Sequence, residues 1–309
     1  MREKNTERER QEEAHNSPRD NLLSPFWGEL FGIFMRLGLI GDIVGRPART
    51  LLAHLLPQIK TQYQLDFIIA NAENASHGFG LSLEHANLLH SFGIDVLTGG
   101  NHSFDKKEII AYLKEGGEIL RPHNYSKELE GSGIYRGEVC GEKIAVLNLM
   151  GHFGMPHCDN VFVCARDSVR LLRDEGYANI VIDMHAEATS EKRAIFEMLK
   201  GEVGAVFGTH THIGTDDLLI DRGSFYVSDV GMCGGFDSVI GMESEAPIER
   251  GLTGLARAKF EVSKSQKVIL QMIVLDMSEG VVSEAKKIKY IQTIGWLPPL
   301  EAVNLGGKE

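Results

Sequence analysis

Leu37-Gly38-Leu39-Ile40-Gly41-Asp42 is a short apolar run that stops on a carboxylate, and its reading decides the fold. Six more stretches repeat the layout. Residues 67–70 lead into Asn71-Ala72-Glu73-Asn74, and 96–97 into Thr98-Gly99-Gly100-Asn101-His102. Residues 144–149 precede Gly151-His152, and 180–184 stop on His185. Residues 205–207 lead into Gly208-Thr209-His210-Thr211-His212, and 225–228 stop on Asp229. Continuous apolar runs read as strands buried on both faces. In open α/β sheets, ligands collect beyond the carboxyl ends of the strands. Laid side by side, these runs give one sheet edge a ring of metal-ligating side chains, which points to a metal-dependent enzyme.

Helical patterns fill the gaps. Residues 46–63 put Leu51, Leu52, Leu55, Leu56 and Ile59 on one face, and Pro57 is expected to kink or break the run. Ser82 fits an N-cap for 83–91, with Gly93 past its end. Residues 106–114 and 167–175 read as further helices, and Thr189 or Ser190 as the cap of 191–200, which Gly201 stops. Strand and helix alternate to about residue 215, which predicts an α/β fold of βαβ units. Beyond it, 258–262 and 268–275 read as an antiparallel pair around Ser263-Lys264-Ser265-Gln266. The boundaries are then an N-terminal extension over 1–34, one domain over 35–297 and a tail over 298–309. The extension opens with a mixed-charge run to Asp20, so it reads as a solvated tail or a non-native addition, with Met35 offering a start beside the first strand. Its mixed signs argue against a secretory leader.

The chain has 309 residues and a formal net charge of −11, which argues against strong non-specific nucleic-acid binding because that needs a basic face. Small anionic substrates remain compatible, since bound cations reverse a local field. Cys140, Cys158, Cys164 and Cys233 form no Cys-x-x-Cys, so a zinc ribbon is not expected and a reducing cytoplasm is. No run of about 18 apolar residues marks a membrane span.

Each candidate ligand has a plainer alternative. Asp42 can hold a divalent metal or cap the helix that follows. Glu73 can bridge two ions and the Asn74 amide oxygen can ligate, or the pair can serve a turn. Two glycines before Asn101-His102 let the backbone bring the Asn carbonyl to a metal, or simply turn. His185 is a strand-end ligand or a satisfied core residue. In extended backbone His210 and His212, two apart, face the same way and reach one cavity. Carboxylate, amide oxygen and imidazole together suit Mn²⁺, Fe or Zn²⁺ better than Ca²⁺. Two such ions about 3.5–4 Å apart suit an in-line phosphoryl displacement. Glu187, Thr189 and Asp229 lie close enough in sequence to support ligands or touch substrate. His77, His123 and His157 fall in loops and are minor candidates for substrate contact.

Gly41-Asp42-Ile43-Val44-Gly45-Arg46-Pro47, Ala70-Asn71-Ala72-Glu73-Asn74-Ala75, Gly100-Asn101-His102, the stretch His185 to Lys192, Gly208 to His212, Ser228 to Met232 and Ser238 to Met242 resemble the calcineurin-like metallophosphoesterase superfamily. The spelling is closest to its YmdB-like branch of bacterial phosphodiesterases: Val44 stands where the wider superfamily has His, and Glu73 where it has Asp. The resemblance runs from about residue 35 to 291. It implies a four-layer αββα sandwich with two metal ions. One would be held by Asp42, Glu73 and His212 with Asn74 nearby, the other by Glu73, Asn101, His185 and His210. His102 would protonate or stabilise the leaving oxygen. The implied activity is hydrolysis of 2′,3′- or 3′,5′-cyclic nucleotides, a small phosphodiester substrate; a homo-oligomer is a separate expectation. The less typical stretches 151–154 and 213–216 are expected to line the substrate pocket. A non-catalytic metal-binding scaffold or regulator linked to RNA turnover is the rival reading, and an amide hydrolase a second.

Overall fold

Both faces of the first strand, Met35–Ile40, are covered: Leu37 and Leu39 enter a core between two sheets, and Ile40 enters a core beneath helices. Burial on both faces is why the run shows no polar alternation. The computed structural model describes residues 34–115 and 117–306, so the N-terminal extension lies outside the described residues apart from Phe34. Met35–Glu309 forms a compact unit of its own.

In chain order the unit runs β1 (Met35–Ile40), α1 (Gly45–Tyr63), β2 (Phe67–Asn71), α2 (Leu83–Ser91), β3 (Val96–Thr98), α3 (Lys107–Glu115), β4 (Ile134–Val139), β5 (Glu142–Met150) and α4 (Val161–Asp174). It continues through β6 (Asn179–His185), α5 (Thr189–Leu199), β7 (Ala205–Thr209), β8 (Leu219–Asp221), β9 (Ser224–Val227), β10 (Gly234–Gly235) and α6 (Glu245–Thr253). It closes with β11 (Val268–Ser278), β12 (Val281–Ile291), β13 (Gly295–Trp296), β14 (Leu300–Glu301) and β15 (Val303–Asn304). The first sheet follows β13-β12-β11-β1-β2-β3, with β10 on β11 and β14 on β12. The second follows β15-β8-β9-β7-β6-β5-β4.

Three cores stack these elements into four layers. Leu52, Leu56 and Leu89 of α1 and α2 pack on Ile68, Leu97 and Leu270 of the first sheet. Phe67, Ile69 and Val96 meet Val146, Val181 and Phe207 between the sheets. Val169, Leu172 and Phe196 of α4 and α5 cover Leu147, Ile182 and Val206 on the far side of the second sheet. The architecture is the expected αββα sandwich. The seven runs therefore end on two facing sheets rather than on one edge.

Several local expectations change. Pro57 does not break α1. The carbonyl it leaves without a partner belongs to Ala53, and both residues face solvent, where water replaces the lost bond. The buried Leu51, Leu52, Leu55, Leu56 and Ile59 hold the helix on the sheet. The helix expected over 167–175 starts at Val161, where the Asn160 side chain accepts from the N–H groups of Phe162 and Val163. Thr189 is the first residue of α5 rather than its cap; Ala188 holds that position. Residues 258–262 form no strand. β11 instead turns at Glu279-Gly280, with φ of 49° and 78°, and pairs with β12. Residues read as a tail carry β14, which joins the first sheet, and β15, which joins the second. Among the described residues no helix is long and apolar enough to cross a membrane.

Candidate metal centre

The oxygen donors come from one sheet and the ring nitrogens from the other. Asp42 follows β1, Glu73 and Asn74 follow β2, and Asn101 and His102 follow β3. His185 closes β6, and His210 and His212 follow β7. Close approach of the two edges needs glycine. A Cβ on Gly41 would collide with the Gly231 carbonyl, and one on Gly208 with the Ser228 carbonyl. One on Gly100 would collide with His185 and Glu73.

Hydrogen bonds settle which nitrogen of each ring faces inward. Thr209 Oγ1 gives its single proton to Asp183 Oδ1 at 2.6 Å, so it accepts from His185 Nδ1–H at 2.9 Å. In the neutral ring, the form that ligates metal, His185 Nε2 is then the lone pair facing inward. It lies 3.0 Å from Glu73 Oε1, 3.1 Å from Asn101 Oδ1 and 3.1 Å from His210 Nδ1. Glu187 Oε2, 3.2 Å from His210 Nε2, favours the proton on that outer nitrogen. Glu73, His185 and His210 keep their ligand atoms within 4.8 Å of one another.

A second group lies beside the first. His212 Nδ1–H donates to the Ile240 carbonyl at 2.7 Å, and Asn74 Nδ2 donates to the Gly78 carbonyl at 2.9 Å. His212 Nε2 therefore meets Asn74 Oδ1 at 3.3 Å and Asp42 Oδ1 at 3.7 Å, lone pair against lone pair. Asp42 Oδ1 is buried with no hydrogen-bond partner, while Oδ2 accepts the His210 N–H at 3.0 Å. Buried acceptors without donors are costly, and a cation is what this arrangement lacks. By chemistry and position the residues fit a pair of metal ions.

Titration reflects the same crowding. Burial acts to lower the His185 pKa, but Glu73, Asp42 and Asp183 outweigh it and push it up to about 9, so without a cation the ring carries a second proton on Nε2, which Glu73 Oε1 accepts and a metal would displace. Burial acts to raise that of Glu73, and the attraction of His185 and His102 brings it down to about 2. Burial and then His185 hold His210 down to about 3, which leaves it a neutral imidazole, the form that ligates metal. Burial raises the Asp42 pKa.

The His210/His212 pair does not lie in extended backbone as its spacing suggested. β7 stops at Thr209, and both histidines have positive φ, 97° and 65°. That conformation is rare outside glycine and sends the two rings to different groups of donors. Asp229 anchors the segment between them, accepting from Thr211 N–H at 3.1 Å, Thr211 Oγ1 at 2.8 Å and the buried Lys192 ammonium at 2.9 Å. Thr189, by contrast, is exposed and makes no hydrogen bond to the cluster. His102 donates its backbone N–H to Glu73 Oε2 at 3.0 Å, and its Nδ1 meets Asp105 Oδ2 at 2.7 Å.

The sequence reading missed Asp183, Asn71 and Thr209, which are fully buried beneath His185. Asp183 sits two residues before His185 within an apolar strand, and a buried carboxylate there was the available signal. The cavity at the centre holds about 460 Å³. Phe79, Val239, Ile240, Met242 and Phe260 wall it, rather than the stretches 151–154 and 213–216.

Two sheets back to back, helices on both outer faces and mixed oxygen and imidazole donors at the shared edge define a calcineurin-like phosphoesterase. A Haemophilus influenzae NAD nucleotidase shares the fold, with a TM-score of 0.52 and 13% identity over 84% of this chain and 56% of that one. Within this class the chain belongs to the YmdB-like protein family, whose model matches residues 39–291. It is 38% identical over 258 residues to a 2′,3′-cyclic-nucleotide 2′-phosphodiesterase of Bacillus subtilis, covering 83% of this chain and 96% of that one. A Mycoplasma pneumoniae structure titled as a novel phosphatase superposes with a TM-score of 0.78 and 34% identity, over 84% of this chain and 94% of that one. A hypothetical protein from Thermus thermophilus superposes at 0.77 with 36% identity, over 83% and 99%.

Proposed function

We propose that this chain is a metal-dependent phosphodiesterase that opens nucleoside 2′,3′-cyclic phosphates, and accepts 3′,5′-cyclic forms, in the cytoplasm. The observation that carries the reading is the double cluster of inward-facing ring nitrogens and side-chain oxygens around the orphaned Asp42 Oδ1. Asp42, Asn74 and His212 would hold one ion; Asn101, His185 and His210 would hold the other; Glu73 would bridge. Fe or Mn suits the donor set best, and Zn is compatible. Bound there, the ions supply a nucleophilic water near neutral pH and neutralise phosphate charge. Asp105 fixes Nδ1 of His102, so Nε2 is the nitrogen free to work on substrate. As the water oxygen joins phosphorus and the P–O2′ bond breaks, His102 gives its proton to O2′. Asp229 and Lys192 hold Thr211, so the two ligand histidines keep their positive φ without substrate. Free thiols at Cys158, Cys164 and Cys233 support the cytoplasmic placement.

The test is reconstitution with Mn²⁺, Fe²⁺ or Zn²⁺, then assay on bis-p-nitrophenyl phosphate, a monoester, an amide and a panel of cyclic nucleotides. Turnover of the diesters is expected, with loss of metal and activity in Glu73→Gln. A fully loaded protein inert to every diester would overturn the reading.

A further inference from the structure

A second cavity, of about 670 Å³, adjoins the metal centre. Phe260 lines both. Its walls carry Arg46, Lys259, Lys264 and His77 against a single carboxylate, Glu261. Glu261 is taken up by Lys264 at 3.2 Å. Arg46 and Lys259 make no ion pair among the described residues. In a chain of net charge −11, a cavity with this cation excess marks a place for an anion. The start of α1 lines it through Arg46, Pro47 and Thr50, and the first turn of that helix holds no carboxylate. Ser263, Ser265 and Gln266 add neutral donors and acceptors. The volume matches ordinary ligand sites of about 300–1,000 Å³.

Two features give the occupant's shape. The Phe260 ring stands at the junction with the Arg250 guanidinium over one face, 5.7 Å from its centroid, which leaves the other face for a planar base to stack on. Arg46, Lys259 and Lys264 line this second cavity and not the one at the metal centre. A nucleoside 2′,3′-cyclic phosphate has one other point of extension, its 5′ oxygen. In a strand that oxygen carries the next phosphodiester, a single negative charge one nucleotide from the reacting phosphorus. A 2′,3′-cyclic phosphate requires a ribose, so the strand is RNA. We infer that the second cavity binds the nucleotide on the 5′ side of the cyclic phosphate, and that the preferred substrate is the 3′ end of a short RNA rather than a free mononucleotide. This rests on the phosphodiesterase reading above.

The experiment has a catalytic arm and a binding arm. The Mn²⁺-loaded protein is assayed on a cyclic mononucleotide and on a trinucleotide ending in a 2′,3′-cyclic phosphate. Wild type is expected to show kcat/KM at least about 10-fold higher on the trinucleotide. Arg46→Ala/Lys259→Ala should remove that advantage, chiefly through KM, and leave mononucleotide turnover unchanged. In the second arm the metal-free protein is titrated with a fluorescein-labelled trinucleotide 3′-phosphate, read by anisotropy. Two phosphate-neutralising contacts on a single strand give a slope of about −1.4 in log K against log salt, and the double variant should flatten it. Equal use of both substrates by wild type, or equal loss on both in the variant, overturns the inference. An enzyme inert to both substrates whose trinucleotide binding still depends on Arg46 and Lys259 would instead overturn the phosphodiesterase reading and keep the cavity as a nucleotide-chain site.

Discussion

Thr209→Val tests the proton arrangement behind His185. The substitution keeps the branched shape and deletes a fully buried hydroxyl. Three bonds go: the 2.6 Å donation to Asp183, the 2.9 Å acceptance from His185 Nδ1–H and a longer one, 3.4 Å, from Asn71 Nδ2. Asp183 keeps Thr98 and Asn71 as donors, so its carboxylate stays partly satisfied. His185 keeps nothing equivalent. Asp42 Oδ1 lies 4.0 Å from Nδ1, beyond hydrogen-bond reach, and is the atom required at the neighbouring group. A buried partner left unpaired costs about 1–3 kcal/mol of stability. Loss of the partner that orients a ligand histidine typically lowers metal affinity about 10–100-fold. That is about 1.4–2.8 kcal/mol. Thr98→Val is the control, because it removes a donor from Asp183 without touching His185. Both variants should lower Tm. Only Thr209→Val should weaken Mn²⁺ in competition against a chromophoric chelator. Matched Tm losses with unchanged affinity in Thr209→Val would refute the argument.

Other expectations follow from the same geometry. Gly100→Ala drives a Cβ into His185 and Glu73, so elemental analysis should find the protein depleted of metal. His102→Ala should lower kcat about 10²–10⁴-fold with both ions retained; an equal loss of metal would contradict a role confined to the leaving oxygen. Lys287 is fully buried, donating to the carbonyls of Thr215 at 2.5 Å and Asp229 at 3.0 Å, and burial pushes its pKa down to about 8. The unfolded chain then binds more protons between about pH 8 and 10.5, so native stability rises with pH across that window. Thermal melts of wild type and Lys287→Met should converge or cross in favour of wild type there, by on the order of 3 kcal/mol. A pH-independent difference would show that the ammonium is not strained.

The layers and the convergence of the candidate donors were legible because both depend on short-range pattern. Strands covered on both faces advertise themselves as unbroken apolar runs, and donors gather where such runs stop. Pairing across long separations was not legible. The partner of β11 is set by the Glu279-Gly280 turn and by β1, more than 220 residues earlier, and no local signal near 258–262 excludes the wrong hairpin. Pro57 misled for a related reason: its cost depends on which side of α1 faces water, and that emerges only after docking. At the centre, residue types were visible but the protons were not. The choice of Nε2 for His185 and His212, and of Nδ1 for His210, follows from Thr209, Ile240 and Glu187, which lie up to 28 residues away in sequence.

Carboxylate and amide oxygens on one sheet and imidazoles on the other have a consequence for assembly. Neither half of the sandwich alone presents a mixed coordination shell, so a nascent chain with only β1, β2 and β3 in place cannot trap an ion tightly. Capture waits until the halves dock in register. A metal bound there would act as a rivet that inspects the finished joint.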